Sequence, residues 1–364
     1  MIIKKKNKFL FICYKYIKKI KKKMNFEDYA AILHNKQEDY YIIKKIGEGA
    51  TSYVYLSLNN KDNSEYAIKL YTDVQAYDTE TLFLNTIIPH NKFIVKLITN
   101  GEGFLERGGS LENFEITNYF SNEEVKFAIF EYLPNGELFN YIKIPEIGFN
   151  EEISRKIFSD LLDAVETCHK SGISHCDIKL ENILLTEDFK IKLIDFGFSK
   201  NINDGLIYEN IGTSSYISPE VFQSATKGFD GIKNDIFSMG VILFILIFGF
   251  FPFDNATFAD NRYKYIINDK FDEFWKLIPF DEIDVSISNN FKDLFERLVC
   301  YDPKGRLSLN EIKMHSWINS DVYNNLFPDC SVNLSSNSNL SKFEDEYLKE
   351  FQNRKHLIDA AMKE

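Results

Sequence analysis

The chain has 364 residues, of which 45% are hydrophobic with 33 Phe. That is ample for a packed core, and at roughly 100 to 200 residues per domain it suggests two lobes or domains. The net charge is −11, but residues 1–23 hold ten Lys and no acid, so residues 24–364 carry −21. A body that acidic argues against a nucleic-acid surface, which demands clustered cations, and suits a cationic peptide partner.

Cys13, Cys168, Cys176, Cys300 and Cys330 form no Cys-x-x-Cys and no paired framework. Their scatter predicts a reducing, cytoplasmic setting, with nuclear access left open, and no structural zinc.

The leading segment interleaves Lys with Phe9, Leu10, Phe11, Ile12, Tyr14, Tyr16 and Ile17. As a signal peptide it fails, because its apolar run is short, Lys15 interrupts it and no small-residue cleavage site follows. It is too short to span a bilayer. Two readings stay open: a basic, aromatic segment resting on an anionic membrane surface, or a disordered extension that includes translation ahead of a true start at Met24.

Near Tyr40, Tyr41-Ile42-Ile43 leads as a strand into Ile46-Gly47-Glu48-Gly49-Ala50-Thr51-Ser52-Tyr53-Val54, a strand–turn–strand pattern. Gly47 and Gly49 allow close backbone approach to a ligand. Tyr66-Ala67-Ile68-Lys69 follows; Lys69, flanked by Ile68 and Leu70 on an apolar strand, needs an anionic partner. Asp78 to Leu84 reads as a helix offering Glu80 for that purpose, with Leu84 one turn on. A strand ends near Leu105 and another runs from Lys126 to Glu131. The link between them, opening with Glu106-Arg107-Gly108-Gly109-Ser110, reads as a tolerated hairpin extension.

Phe130-Glu131-Tyr132-Leu133-Pro134-Asn135-Gly136-Glu137-Leu138-Phe139 leads out of the last strand into a helical second half. Ile157, Leu161, Leu162, Val165 and Cys168 recur at helical spacing in Ile153 to His169, and Val241 to Phe248 is apolar throughout, as a buried central helix should be. Between these lie His175-Cys176-Asp177-Ile178-Lys179-Leu180-Glu181-Asn182, then Asp195-Phe196-Gly197, Gly212 to Glu220, and Asp235-Ile236-Phe237-Ser238-Met239-Gly240. Arg306 and His315-Ser316-Trp317-Ile318 come last. Ser331 to Ser341 reads as a linker rich in Ser and Asn. Lys342 to Glu364 is read either as a helix with Phe343, Tyr347, Phe351 and Ile358 on one side, packed or autoinhibitory, or as a loosely ordered tail. Its early acids make it unlike a basic calmodulin-binding helix, and no EF-hand loop occurs, so calcium sensing is not built into the chain.

Taken in order, these motifs resemble a eukaryotic serine/threonine protein kinase over roughly residues 40 to 318, closest in detail to the calcium/calmodulin-dependent and AMP-activated-like group. The resemblance implies an α+β bilobal fold: a small antiparallel-sheet N-lobe (40–133) with one main helix, and a larger helical C-lobe (134–318). Residues 1–39 then form an extension and 319–364 a tail. It also implies ATP and Mg²⁺ as cofactors and protein substrates. Phosphoryl transfer needs a carboxylate to take the acceptor's proton and oxygens to hold the metal. The family's roles fall on Asp177 as base, Lys179 on the transferring phosphoryl, Asn182 and Asp195 as metal ligands, and Lys69, paired with Glu80, on the phosphates. Ile46, Gly47 and Gly49 form the phosphate loop. Val54, Ala67 and Leu184 sandwich adenine, the Glu131 carbonyl and Leu133 amide bind its edge, and Phe130 closes the deeper pocket. Glu137 reaches the ribose or a basic substrate residue, and Glu181 adds a second acid near the peptide groove. Leu84 stacks with Leu97, Phe196 and His175, Asp235 fixes the catalytic loop from its helix start, and Glu220 pairs with Arg306.

Lys179 and Thr213 match serine/threonine rather than tyrosine kinases. The departures are informative. Ser52 stands for a third glycine, Phe237 for a tryptophan, and Ile245 lies where some basophilic kinases carry an acid. Cys176 replaces the arginine that neutralises an activation-loop phosphate, and Glu209 stands where the phosphorylated residue would be, so the loop is expected not to depend on its own phosphorylation. A nucleotide-binding pseudokinase scaffold is the rival reading. Kinases of small molecules are disfavoured by the intact Gly212 to Glu220 segment.

Overall fold

The computed structural model describes residues 29–86, 91–107, 124–144, 147–280, 287–319 and 338–362. The basic segment 1–23, Cys13, Cys330, most of the Ser/Asn linker and the extension after Arg107 lie outside them. The chain divides into two compact units, residues 1–89, 95–134 and 358–364 in one, and residues 90–94 and 135–357 in the other.

The first unit is a closed antiparallel barrel of six strands: β1 (Ala31–His34), β2 (Asp39–Glu48), β3 (Ser52–Asn59), β4 (Glu65–Tyr71), β5 (Leu97–Arg107) and β6 (Glu124–Glu131), in the order β1-β2-β3-β4-β6-β5. Alternate side chains turn inward, so Ala31, Leu33, Ile42, Tyr55, Ile68, Leu70, Leu105, Phe127 and Ile129 share one core. One helix, α1 (Val74–Thr86), accompanies the sheet and buries Tyr77, Glu80, Thr81 and Leu84.

Ahead of Tyr40, where the kinase resemblance begins, the described residues already include a strand of the barrel, with Tyr29 and Ala30 buried just before β1. β1 pairs with both β2 and β5, placing Ala31 opposite Arg107 and Leu33 opposite Leu105. Its seat depends on Gly103, where a Cβ would come within 2.7 Å of the His34 carbonyl oxygen. His34 pins the strand by its ring, with Nδ1 2.8 Å from Asp39 and Nε2 2.9 Å from Glu106.

The second unit is mainly helical. α2 (Leu138–Lys143) is followed by α3 (Glu151–Lys170), whose first turn is capped by the Asn150 side chain accepting from the Ile153 N–H. α4 (Gly231–Phe248) is buried on nearly all sides, as its unbroken apolar sequence requires. Among the described residues it is the one helix long and apolar enough to cross a membrane. It starts four residues before Asp235, so Asp235 lies in its second turn rather than at its start. Short strands β7 (Ile173–Ser174), β8 (Ile183–Leu185), β9 (Ile191–Leu193) and β10 (Lys200–Asn201) form two small hairpin-like pairs, β8 with β9 and β10 with β7. α5 (Asn289–Leu298) packs on α4 through Phe295 and Phe244.

The C-terminal stretch is a 24-residue helix, α6 (Ser338–Ala361). Phe343, Tyr347, Phe351 and Ile358 are all buried. Phe351 lies between the rings of Phe149, Tyr141 and Phe189, with centroids 5.1, 5.4 and 5.6 Å away. The Arg354 guanidinium donates to the carbonyls of Tyr141, Ile147 and Gly148 at 2.8, 2.6 and 2.6 Å, and lies 3.9 Å from the Phe149 ring.

Candidate active site

In the first unit, the β2–β3 turn carries the glycine pair. Gly47 pairs with Val54, the Gly49 N–H donates to the Ser52 carbonyl at 2.9 Å, and Ile46 stays partly exposed just before the turn. Ser52, at the third-glycine position, is buried. Val54 faces Lys69 across β3 and β4, and Ala67 pairs with Phe130 of β6.

Lys69 is 9% exposed and Glu80 2%, so each charge has left water and needs the other. Lys69 Nζ lies 2.6 Å from Glu80 Oε2. The helix bearing the glutamate is therefore in register with the strand bearing the lysine. β6 ends at Glu131, which returns two bonds to Lys96: its N–H donates to the Lys96 carbonyl at 3.1 Å, and its carboxylate accepts the Lys96 N–H at 2.8 Å. Leu133 follows, buried, with Phe130 buried ahead of it.

In the second unit, the catalytic-loop sequence is fixed from below by Asp235. Its carboxylate, fully buried, accepts the His175 and Cys176 N–H groups at 2.8 Å each and contacts His169 Nε2 at 2.8 Å. Placing Asp235 one turn into α4 does not cost it this role, because the carboxylate still reaches both amides.

Asp177 is the hub above it. Oδ2 takes Lys179 Nζ at 2.6 Å and Asn182 Nδ2 at 3.1 Å, and Oδ1 accepts the Thr213 hydroxyl at 2.7 Å. Lys179 Nζ also donates to Thr213 Oγ1 at 2.8 Å. Asn182 donates a further bond to the Asp177 carbonyl at 2.9 Å, which fixes its amide with the nitrogen inward. Asp195 adopts φ 64°, a left-handed conformation that non-glycine residues seldom take and that clusters at functional sites. The residue before it is clamped: the Ile194 N–H donates to the Asn182 carbonyl at 2.9 Å, and His175 Nε2 lies 3.1 Å from the Ile194 carbonyl. Phe196 packs on the His175 ring with centroids 4.8 Å apart.

Among the described residues no three carboxylate, thiol or imidazole groups converge as a metal cage. Two oxygen-bearing side chains plus a substrate phosphate are what Mg²⁺ usually takes, so Asn182 and Asp195 fit that ion in donor chemistry. Gly136 and Glu137 lie beside β8, where Glu137 bridges Leu184 and the Leu185 N–H donates to the Gly136 carbonyl at 2.9 Å.

The Tyr216 hydroxyl donates to Glu181 at 3.1 Å, so this carboxylate is already engaged within the chain, which sequence reasoning missed. Burial first, and the Glu181 charge second, push the Tyr216 phenol well above its ordinary value. The Glu220–Arg306 pair is present and two-pronged, at 2.6 and 2.7 Å, with Phe237 under the guanidinium at 4.9 Å.

Cys176 Sγ lies 3.3 Å from Ser174 Oγ, and the residue belongs to an apolar cluster with Ile207, Ile217, Val221 and Phe229. Burial, with Asp235 beside it, pushes the thiol well above its ordinary value, so it stays protonated. Gly212 has φ 94°, and a Cβ there would meet the Cys176 carbonyl oxygen at 2.7 Å, so only glycine lets the two segments meet.

Residues 40–318 match the protein kinase domain, and the chain belongs to that family. Its curated relatives place it among the serine/threonine kinases. It is 30% identical over 331 residues to CBL-interacting protein kinase 10 of Oryza sativa subsp. japonica, covering 85% of this chain and 67% of that one. It is 33% identical over 293 residues to the probable serine/threonine-protein kinase fhkE of Dictyostelium discoideum, covering 78% and 38%. To CBL-interacting serine/threonine-protein kinase 19 of Arabidopsis thaliana it is 35% identical over 245 residues, covering 66% and 47%. Across the curated relatives it matches, the chain spans between 38% and 67% of their length, and about half in most.

Proposed function

We propose that the chain transfers the γ-phosphate of ATP to serine or threonine hydroxyls of proteins, with Mg²⁺ held by Asn182 and Asp195. The observation that carries this reading is the convergence of Lys179, Asn182 and Thr213 on the two oxygens of Asp177. In it, Asp177 orients the acceptor hydroxyl and takes its proton as the oxygen bonds to the γ-phosphorus. The bond from that phosphorus to the β,γ-bridging oxygen breaks, and ADP leaves with the electron pair. Lys179 offsets charge on the phosphoryl oxygens, and a Mg²⁺ held by Asn182 and Asp195 would offset the charge of the phosphates. Lys69, held by Glu80, positions the α- and β-phosphates beneath the Gly47–Gly49 turn. Within the first unit, Val54 and Ala67 supply apolar wall for the adenine, and Glu131 and Leu133 its hydrogen bonds.

Two finer features belong to the same proposal. The acceptor lies near basic residues, recognised by Glu137 and Glu181. The activation segment is ordered without phosphorylation, because Cys176 and Ile207 join one apolar cluster and Glu209 already pairs with Lys200 at 2.6 Å. The test is phosphate incorporation into a degenerate peptide library by purified full-length protein beside its Asp195→Ala variant. Incorporation lost in the variant supports the assignment; none from either protein, with nucleotide still bound, favours the scaffold reading.

A further inference from the structure

Tyr71 stands two residues after Lys69 on β4, so the two side chains leave the strand on the same face. Its ring is 4% exposed, and its hydroxyl donates to Glu80 Oε2 at 2.9 Å, the same oxygen that takes Lys69 Nζ at 2.6 Å. The Lys69 ammonium also lies 5.4 Å from the centre of the Tyr71 ring. One tyrosine thus presents its face to the lysine and its hydroxyl to the glutamate.

The ring is in turn braced. It meets Tyr77 of α1 edge-on, with centroids 5.3 Å apart and planes at 76°. The Tyr77 hydroxyl accepts from Asn100 of β5 at 2.9 Å. A carboxylate buried to this degree gains most from charge-assisted hydrogen bonds that leave no freedom in its torsions.

We infer that Tyr71 is a positioning residue for phosphoryl transfer, holding Glu80 so that Lys69 is aimed rather than merely neutralised. The inference rests on the kinase reading of Lys69. Lysine and glutamate alone fix a distance between two flexible side chains. The third group, anchored to the same strand as the lysine, fixes the direction as well. Its contribution passes through the Glu80 carboxylate and vanishes when that carboxylate is gone.

The test is a cycle of four full-length proteins: wild type, Tyr71→Phe, Glu80→Gln and the double variant. For each, kcat and the KM values for ATP and acceptor peptide are measured, with Mg²⁺·ADP affinity and the urea midpoint alongside. Tyr71→Phe is expected to lower kcat/KM for ATP about ten- to thirtyfold, as loss of a hydrogen bond to a buried charge does, with the peptide KM unchanged. In the Glu80→Gln background the same change should have no further effect. An unchanged kcat/KM in Tyr71→Phe, or an equal factor lost in both backgrounds, overturns the inference. If wild type transfers no phosphate, the kinase reading fails by itself. The ADP affinities of the four proteins then still decide whether Tyr71 acts through Glu80, by the same criterion of coupling.

Discussion

Lys200 lies 2.6 Å from Glu209 and ties the strand after Asp195-Phe196-Gly197 to the stretch where a regulatory phosphate would otherwise sit. Both side chains are substantially exposed, 32% and 59%, so the pair contributes at most about 1 kcal/mol. The buried cluster of Cys176, Ile207, Ile217, Val221 and Phe229 is the stronger tether. Phosphatase-treated protein made in bacteria is therefore expected to keep most of its activity. Ile207→Ala should lower kcat far more than Lys200→Ala, and an enzyme silent until residues 198–211 are phosphorylated would refute this account. The assay should compare the full chain with one ending near Ile318.

By the proposed roles, Lys69→Met and Asp195→Asn each remove a charge that serves nucleotide or metal, and Lys69→Met also leaves the buried Glu80 carboxylate without its ammonium partner. Phosphate transfer is expected to fall by several orders of magnitude, corresponding to several kcal/mol of transition-state stabilisation. Circular dichroism should show the fold intact. Near-normal turnover in either variant would overturn the proposed roles.

On a peptide library, acceptors with Arg or Lys about three residues before the phosphorylated position should lead. The Tyr216 hydroxyl competes for Glu181, and Ile245 supplies no second acid, so preference at the neighbouring basic position should be loose. Tyr216→Phe should sharpen it. A library profile dominated by acidic or proline-directed sites would remove the argument.

Docking of α6 rests on a few side chains. Phe351→Ala empties a site lined by four other aromatic rings, those of Tyr141, Phe149, Phe189 and Tyr347, and should cost about 3–5 kcal/mol. Arg354→Ala leaves three carbonyls without their donor, a loss on the order of 2–4 kcal/mol. Hydrogen exchange should show both variants releasing residues 338–357 and exposing residues 141–144 and 147–149, before any change in α3 or α4.

His34 gives β1 a pH dependence. Burial alone would lower its pKa, but its hydrogen bonds and charge contacts with Asp39 and Glu106 outweigh that and raise it. A raised folded value means the stabilisation is complete below the unfolded value of about 6.5 and is lost as pH rises through the folded one. Amide exchange in residues 31–34 should accelerate beyond its intrinsic rise as the pH climbs above about 6.5, and His34→Ala should abolish the excess.

Much of the candidate site could be read from residue order, because phosphoryl transfer demands particular groups at particular separations. Lys69 lies against Glu80 within the first unit, and Asp177 against Asn182 within the second. Three features could not be read so directly. β1 is four residues long and has only two inward positions, too few for a periodic signal. The bond from Tyr71 to Glu80 depends on the pitch between helix and sheet. The grip of Arg354 on main-chain carbonyls has no sequence signature, since every residue offers a carbonyl.

The closure of the barrel by β1 bears on how the protein behaves when shortened. A chain cut at Tyr40, where the family match begins, loses the partner of both β2 and β5. Their outer N–H and C=O groups would then face solvent as two open edges, beside the uncovered cleft at Gly103 and Leu105. Such edges invite strand addition from other chains, so the trimmed protein is expected to self-associate where a version retaining residues 29–39 stays dispersed.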